Sequence, residues 1–506
     1  MPSDPNDVNA ATQLPAVIQL PAVLAIGFTG HRSLPDEATS RKLIYNFLAE
    51  KKRSTSEIIL GVSSVAAGGD LLFAESCIAL DIPLRVLLPL PQEEFRKDFD
   101  PATWSRAQQV MSRAMSVEVT GKEGPRDECY YECGLATVLQ SQWLMALWNG
   151  EPAQGLGGTE QIVTFARQTG RPVIWIHSVT GAVQLSDQKK LPLLDGDPEL
   201  KFLNQLASIG TSAADASSAA LSAAWLEKLD ANAVLVAPQV RRLAALPIVC
   251  TALAALVSGA ALRMHASGIW VAVGALLGLM AALLPAALKL GKRQALWVRI
   301  RTAAEVSRSV RALWDTPAPY EVVGPEILPE LSGMIVSLNF LKSKAAPTRD
   351  KAVDAFKMQY LEERLIDQKK YFMRQSTKSA EKGRRYRLLS KICVIAAIVL
   401  SLWAFGARTL LKTSHAVYGG SWLPLVASAL FQIATVAGAL LVVNDCDRRQ
   451  RRYLEIHNFL ANWEMELRAF HTWPPVIQVV NKIERALLVE LLEWRSLLQN
   501  TKMPRN

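Results

Sequence analysis

Three glycine-bearing turns stand where short apolar runs end: Gly27-Phe28-Thr29-Gly30-His31-Arg32, Ala67-Gly68-Gly69-Asp70 and Gly155-Leu156-Gly157-Gly158-Thr159-Glu160. Glycine lets a backbone come close to a phosphate, and the free N–H groups at a helix start attract its charge. Thr29, Thr159 and Arg32 add hydroxyl and guanidinium donors. Three such turns converging on one sheet edge point to a phosphate-bearing ligand. His31 reads either as a ligand contact or proton donor or as a hydrogen-bonded structural residue. Asp70 fits a ribose hydroxyl or a helix cap. Tyr131 offers a ring for a base and Glu132 a carboxylate for a sugar, against plain surface packing for both. Asn149 supplies a neutral amide donor and acceptor. Trp143 and Trp148 alternate with apolar neighbours and read as core. Cys129 and Cys133 can share a helix face, but four-coordinate zinc needs two more ligands that no nearby pair supplies, so no metal site is expected.

The elements that must carry these turns are legible as alternating periodicities. Strand-like runs (AVLAIGF, IILGVSSV, LRVLLPL, WLMALW, PVIWIH) interleave with helical patterns over 36–52, 70–80 and 130–140. That alternation predicts a Rossmann-like α/β domain over 22–180, a parallel sheet covered on both faces with its ligand at the carboxyl ends of the strands. Residues 1–21 carry four prolines and acids but no basic residue, and read as a disordered N-terminus rather than a secretory signal. Residues 181–198 read as a linker.

The remainder differs in kind. Of 506 residues 50% are apolar and 20% charged, and the apolar ones gather in blocks without any charge. A purely soluble enzyme is excluded by that pattern. An all-α membrane region of four transmembrane helices is expected, at 243–262, 264–288, 390–408 and 418–443, paired as two hairpins with helical extensions. The net charge of +10 sits beside these blocks, at 289–301, 382–391 and 448–452, which suits a membrane face better than nucleic acid. Arg241, Arg242, Lys289, Lys292 and Arg293 bracket the first hairpin, and Arg384, Arg385, Arg387, Arg448, Arg449, Arg451 and Arg452 the second. The turns carry only Arg263, then Arg408 with Lys412, so both termini are expected on the cytoplasmic side. Six cysteines, half of them in or beside apolar runs, fit structural thiols in a reducing compartment.

The hairpins look like an internal repeat, with modules at 199–316 and 350–506 and a proline-marked linker at 317–349. Polar helical stretches precede each (199–237, 350–387) and follow each (291–314, 445–470). Within the spans, Gly274 and Gly278 have the Gly-x-x-x-Gly spacing of closely packed helices. Ser428, Gln432 and Thr435 form a polar row that seals a helix interface or lines a pore. Pro247, Pro285 and Pro424 offer hinge points.

The succession GFTGHR, AAGGD, YYECGLATV, LMALWNGEPAQGLGGTEQIVTFAR and RPVIWIH resembles the SLOG superfamily of Rossmann-like nucleotide sensors, which includes LOG proteins. YLEERLIDQKKYFMRQSTKSAEKGRRYR, and more loosely WVRIRTAAE, resemble SLATT modules, two-helix effectors of bacterial antiphage systems. The resemblance implies a multi-pass protein of the bacterial inner membrane, a homo-oligomer without catalytic activity or resident cofactor. Its ligand would be a nucleotide second messenger, NAD-derived or cyclic, made by a separately encoded enzyme. LOG-type hydrolases carry Gly-Gly-x-Gly-Thr-x-x-Glu; the acid's position is Ile162 here, and Glu160 directly follows Thr159. Asn149 likewise replaces the acid of a Trp-Asp-Gly element. A membrane-bound nucleotide hydrolase of LOG type and a non-conducting nucleotide-binding scaffold stand as the alternatives.

Overall fold

The protein is known from a computed structural model that describes residues 19–120, 124–153, 155–185, 197–207, 217–263, 268–287, 290–317, 320, 322–323, 327–345, 352–410 and 423–500. The chain divides into two compact units. One comprises Met1–Asp230 with Ala303–Lys351, the other Ala231–Thr302 with Ala352–Asn506.

The first unit is built on a seven-stranded sheet of order β4-β3-β2-β1-β5-β6-β7. The strands are β1 (Val23–Gly30), β2 (Ile58–Ser63), β3 (Leu84–Leu88), β4 (Ser116–Val119), β5 (Trp143–Trp148), β6 (Val173–His177) and β7 (Val183–Leu185). All pair in parallel except β7, which runs antiparallel to β6. The central strands are continuous apolar runs because both faces are covered. On β5, Trp143, Met145 and Leu147 enter one apolar cluster while Leu144, Ala146 and Trp148 enter the other, as the two-residue period of a strand demands. Helices α1 (Glu37–Ser54), α2 (Gly69–Ala79), α3 (Gln92–Phe95), α4 (Pro101–Arg113), α5 (Arg126–Leu139) and α6 (Thr159–Gln168) provide the crossovers. Asp36 and Asp100 cap α1 and α4 by accepting N–H groups of their first turns.

Four later segments complete this unit, and regular elements stand within stretches expected as linkers. Leu20, expected within the disordered N-terminus, is buried and held: its N–H donates to Asn204 Oδ1 (3.0 Å), and Asn204 Nδ2 donates back to the Leu20 carbonyl (2.9 Å). Asn204 lies on α7 (Pro198–Leu206), and the Trp225 indole of α8 (Ser218–Arg263) joins the same oxygen at 3.0 Å. Strand β7 occupies part of the expected 181–198 linker. The expected 317–349 linker contains α11 (Ser332–Lys344), whose residues are buried on nearly every side. Its Ser337 hydroxyl donates to the Pro21 carbonyl at 2.5 Å, and Arg85 of β3 donates to the Asn339 carbonyl (3.3 Å) and the Ser343 hydroxyl (2.5 Å). Pro21 and Arg85 stand at the amino ends of their strands, so α11 closes the edge opposite the glycine turns. The expected 199–316 module is likewise shared: α8 and α10 (Leu290–Ala312) each begin in one unit and end in the other. Arg308 of α10 holds Asp230 of α8 through Nη2, at 2.6 and 2.5 Å.

The second unit is helical. Besides the far parts of α8 and α10 it holds α9 (Gly268–Ala287), α12 (Val353–Gln359), a π-helical segment Tyr360–Ile366, α13 (Asp367–Leu410), α14 (Leu423–Val443), α15 (Cys446–Ala469) and α16 (Trp473–Asn500). Two continuous helical runs, Val353–Gly406 and Leu423–Ala469, are long and apolar enough to cross a membrane; only 11% and 17% of their most apolar stretches are buried. A soluble-core helix would be covered. In the first expected hairpin the described apolar stretches are shorter, Leu246–Ala261 and Gly268–Leu284, against the roughly 20 residues a span requires. The expected disordered stretch 1–18, Lys289, the turns 264–267 and 411–422 with Lys412, and the side chains of Arg241, Arg242, Arg263, Pro285, Lys292, Arg293 and Arg408 lie outside the described residues.

Candidate functional site

From β1 the chain steps outward through β2, β3 and β4, then returns to β5 on the other side of β1. The carboxyl ends of β1 and β5 therefore diverge at a topological switch point, where open α/β sheets bind ligands. A cavity of about 700 Å³ opens there, nucleotide-sized by the usual range of pockets. It is walled by Thr29 and Gly30 at the end of β1, by His31 and Arg32 after it, by Asn149 and Glu151 after β5, and by the Gly155–Glu160 turn.

The β1 and β5 turns brace each other. With the imidazole proton on Nδ1, His31 Nε2 accepts the Asn149 N–H (3.1 Å); with it on Nε2, the ring donates to Asn149 Oδ1 (3.0 Å). Asn149 Oδ1 also accepts the Glu151 N–H (3.1 Å), and Nδ2 donates to Glu151 Oε2 (3.0 Å). The Asn149 amide is thus engaged in closing its own turn rather than held out to a ligand.

The Gly155–Glu160 turn leads into α6. Gly157 has φ +81°, and its N–H donates to Gln161 Oε1 at 2.8 Å. The N–H groups of Thr159 and Glu160 carry no hydrogen bond among the described residues, so the first turn of α6 presents donors at the cavity. Glu160 accepts from the Thr164 hydroxyl at 2.8 Å. Position 162, where a hydrolytic acid would stand in a LOG-type motif, holds a buried isoleucine packed on α5 so tightly that a Cβ on Gly134 would lie 2.5 Å from its Cδ1.

Of the middle turn, Gly68 and Gly69 are not part of the cavity wall. Gly68 has φ +88°, and a Cβ there would come within 2.3 Å of the Arg32 carbonyl and 2.4 Å of that of His31. The Gly69 N–H donates to the His31 carbonyl at 3.0 Å. These glycines lock the start of α2 against the end of β1. Gly27 is also a packing glycine, since its Cβ would meet Ser141 Oγ at 2.6 Å. Asp70, next in sequence, does reach the cavity. Its carboxylate accepts from the Ser64 hydroxyl at 2.9 Å. Burial pushes this acid up to about 7, against the opposing effects of Ser64, Arg32 and the Gly30 N–H.

On α5 the facing residue is Tyr130, not Tyr131. The Arg32 guanidinium lies 4.6 Å over the Tyr130 ring, a cation–π contact, and the Tyr130 hydroxyl donates to Asp98. Arg126 reaches the same carboxylate at 2.6 Å. Tyr131 packs instead against the Val138–Leu144–Ile162 cluster under Gly157, and Glu132 is not part of the cavity wall. Trp148 is both core and cavity wall, while Trp143 is core alone. Ser64, Asp98, Arg126 and Tyr130 went unassigned in the sequence. Two guanidinium groups, of Arg32 and Arg126, face five carboxyls of Asp70, Asp98, Asp127, Glu151 and Glu160. Anion binding would therefore fall to the backbone donors of α6.

In the helical unit Gly274 lies against α8, where a Cβ would be 2.0 Å from Ser258 Oγ, and Gly278 faces Ala254 at 4.0 Å. Along α14, Ala427, Ala434 and Ala437 are buried. Ser428 and Thr435 are exposed and Gln432 half-buried. Thr435 donates to the Phe431 carbonyl of its own helix at 2.9 Å. No protein-family model and no curated protein matches this chain.

Proposed function

We propose that the protein is a membrane effector gated by a nucleotide-derived ligand, sensed in the sheet unit and answered by permeabilisation of the bilayer. The observation that carries this reading is the union, in one chain, of a nucleotide-sized cavity at a switch point with two long helices whose apolar surface is left uncovered. The α6 N–H groups, the Arg32–Tyr130 stack and Asp70 suit phosphate, base and sugar respectively. Helices α8 and α10 run from one unit into the other and supply the covalent route for a signal. The SLOG and SLATT resemblance supports an antiphage role in the bacterial inner membrane, with four spans and cytoplasmic termini. The polar row Ser428–Gln432–Thr435, set away from the alanine row of α14, supports a homo-oligomer, because uncovered polar groups in hydrocarbon call for partners or water.

A hydrolase reading draws on Asp70, whose pKa, raised to about 7 by burial, suits proton transfer near neutrality. Ile162 weighs against it. The experiment is a thermal-shift screen of the purified protein against linear and cyclic nucleotides, including NAD derivatives, followed by liposome dye release with each hit. The expected outcome is a stabilising nucleotide recovered intact that triggers release. A ligand recovered cleaved would replace the sensor by a hydrolase, and stabilisation without release would replace the effector by a scaffold.

A further inference from the structure

We propose that the basic side chains at the foot of the α13–α14 hairpin form a binding collar for anionic phospholipid headgroups. The proposal rests on reading α13 and α14 as membrane-spanning. Residues 381–391 and 445–452 together carry nine basic side chains and three acids. The fold brings the two runs side by side. Lys382 Nζ donates to Asn444 Oδ1 at 2.7 Å, and Arg387 pairs with Asp447. Gly383 permits the approach, since a Cβ there would lie 3.2 Å from Cys446 Cβ. One of the three acids is thereby neutralised, whereas Arg384, Arg385, Lys391, Arg448 and Arg451 are exposed and make no ion pair among the described residues.

This patch is continuous with bare apolar surface. Ile392, Ile395 and Val399 on α13 and Val442 and Val443 on α14 are exposed. Arg384 precedes the exposed Leu388 by four positions, about 6 Å along a helix, and Arg448 follows the exposed Val443 by five, about 8 Å. The guanidinium groups therefore meet the layer where phosphodiesters lie, just outside the hydrocarbon. Guanidinium takes phosphate oxygens in bidentate fashion. A zwitterionic headgroup brings its own cation and leaves the surplus charge uncompensated, whereas an anionic one balances it. An acyl chain attached to that phosphate would lie along the exposed isoleucines and valines, which distinguishes a lipid from a free anion.

The test uses the full chain in neutral detergent, titrated with short-chain phosphatidylglycerol, short-chain phosphatidylcholine or inorganic phosphate, with Tm as readout. Phosphatidylglycerol should stabilise at concentrations at least about tenfold below phosphatidylcholine, and phosphate should do nothing comparable. Each basic group near the surface contributes about fivefold, so R384Q/R448Q/R451Q should abolish that preference. R384K/R448K/R451K should keep most of it, which separates charge from misfolding. Equal response to both lipids, an unchanged glutamine variant, or an equal effect of phosphate would overturn the collar. Extraction of the protein from its native membranes by alkaline carbonate would instead overturn the spanning reading beneath it.

Discussion

Asp70 shows how an ordinary residue type acquires an unusual state from its place. It opens α2, where an acid is expected as a cap, yet burial beside Ser64 holds it near 7 instead of its ordinary 3.8. The folded protein thus keeps a proton that the unfolded chain releases between about pH 4 and 7, so this contribution to stability is full at low pH and is lost as pH rises through about 7. Asp70→Asn should remove that dependence. Its Tm relative to wild type should improve between pH 5 and 8, by the equivalent of about 1.4 kcal/mol per pH unit over the titrating range at most. An offset that stays constant across those pH values would place this carboxyl in the ordinary range. The chemistry-bearing turns were legible from glycine spacing, but their roles were not: Gly68 and Gly158 look alike in sequence, and only the carbonyls of His31 and Arg32 packed against Gly68 make it structural. Tyr130 and Tyr131 illustrate the same limit. They lie about 100° apart on one helix, and α5 is covered on both sides, so apolar periodicity cannot choose between them.

At the scale of elements, the five interior strands and helices α1, α2 and α5 fall within a few residues of their sequence patterns. The missed pieces were weakly marked: β4 is a four-residue edge strand with alternating exposure, and β7 is a three-residue return. Nothing in the sequence announced the π-helical segment either. Its Arg364 forks onto the fully buried Glu484 of α16, through Nε at 2.9 Å and Nη2 at 2.8 Å, while the Tyr360 hydroxyl donates to the same carboxylate at 2.9 Å. These partners lie 120 and 124 residues away in sequence, beyond any local pattern. Removing one member of such a pair strands the other charge, so Glu484→Ala should cost about 3–5 kcal/mol, read as a fall in Tm. Arg364→Leu combined with Glu484→Leu should recover most of that loss, because an apolar pair leaves no buried charge. A double variant as unstable as Glu484→Ala would mean that the contact matters by shape and not by charge.

For the whole molecule, alternation of strands and helices was enough to place the cavity at the strand ends, and charge-free blocks were enough to find two of the four expected spans as long unburied helices. The division into units was not legible. Pro317, Pro319 and Pro325 punctuate the chain as a linker would, whereas 332–344, lacking any continuous polar face, was the signal of a helix meant for burial. The proposed gating makes a prediction at this scale, since a ligand shifts an equilibrium only by its differential affinity for the two states. Gln432→Leu should keep the ligand-induced rise in Tm and lose most ligand-triggered dye release. Unaltered release would take Gln432 out of the permeation path. The hydrogen bond from Ser337 to the Pro21 carbonyl spans 316 positions, and that has a consequence in time. A nascent chain, growing at about 5–20 residues per second, completes α9 at residue 287 about 3–11 seconds before it completes α11 at residue 344. The amino edge of the sheet stays open throughout that interval. The sheet unit is thus closed only once residue 345 has been made, between the two stretches, 231–302 and 352–506, that build the other unit, and a chain lacking residues 303–345 should leave the amino edge of its sheet uncovered.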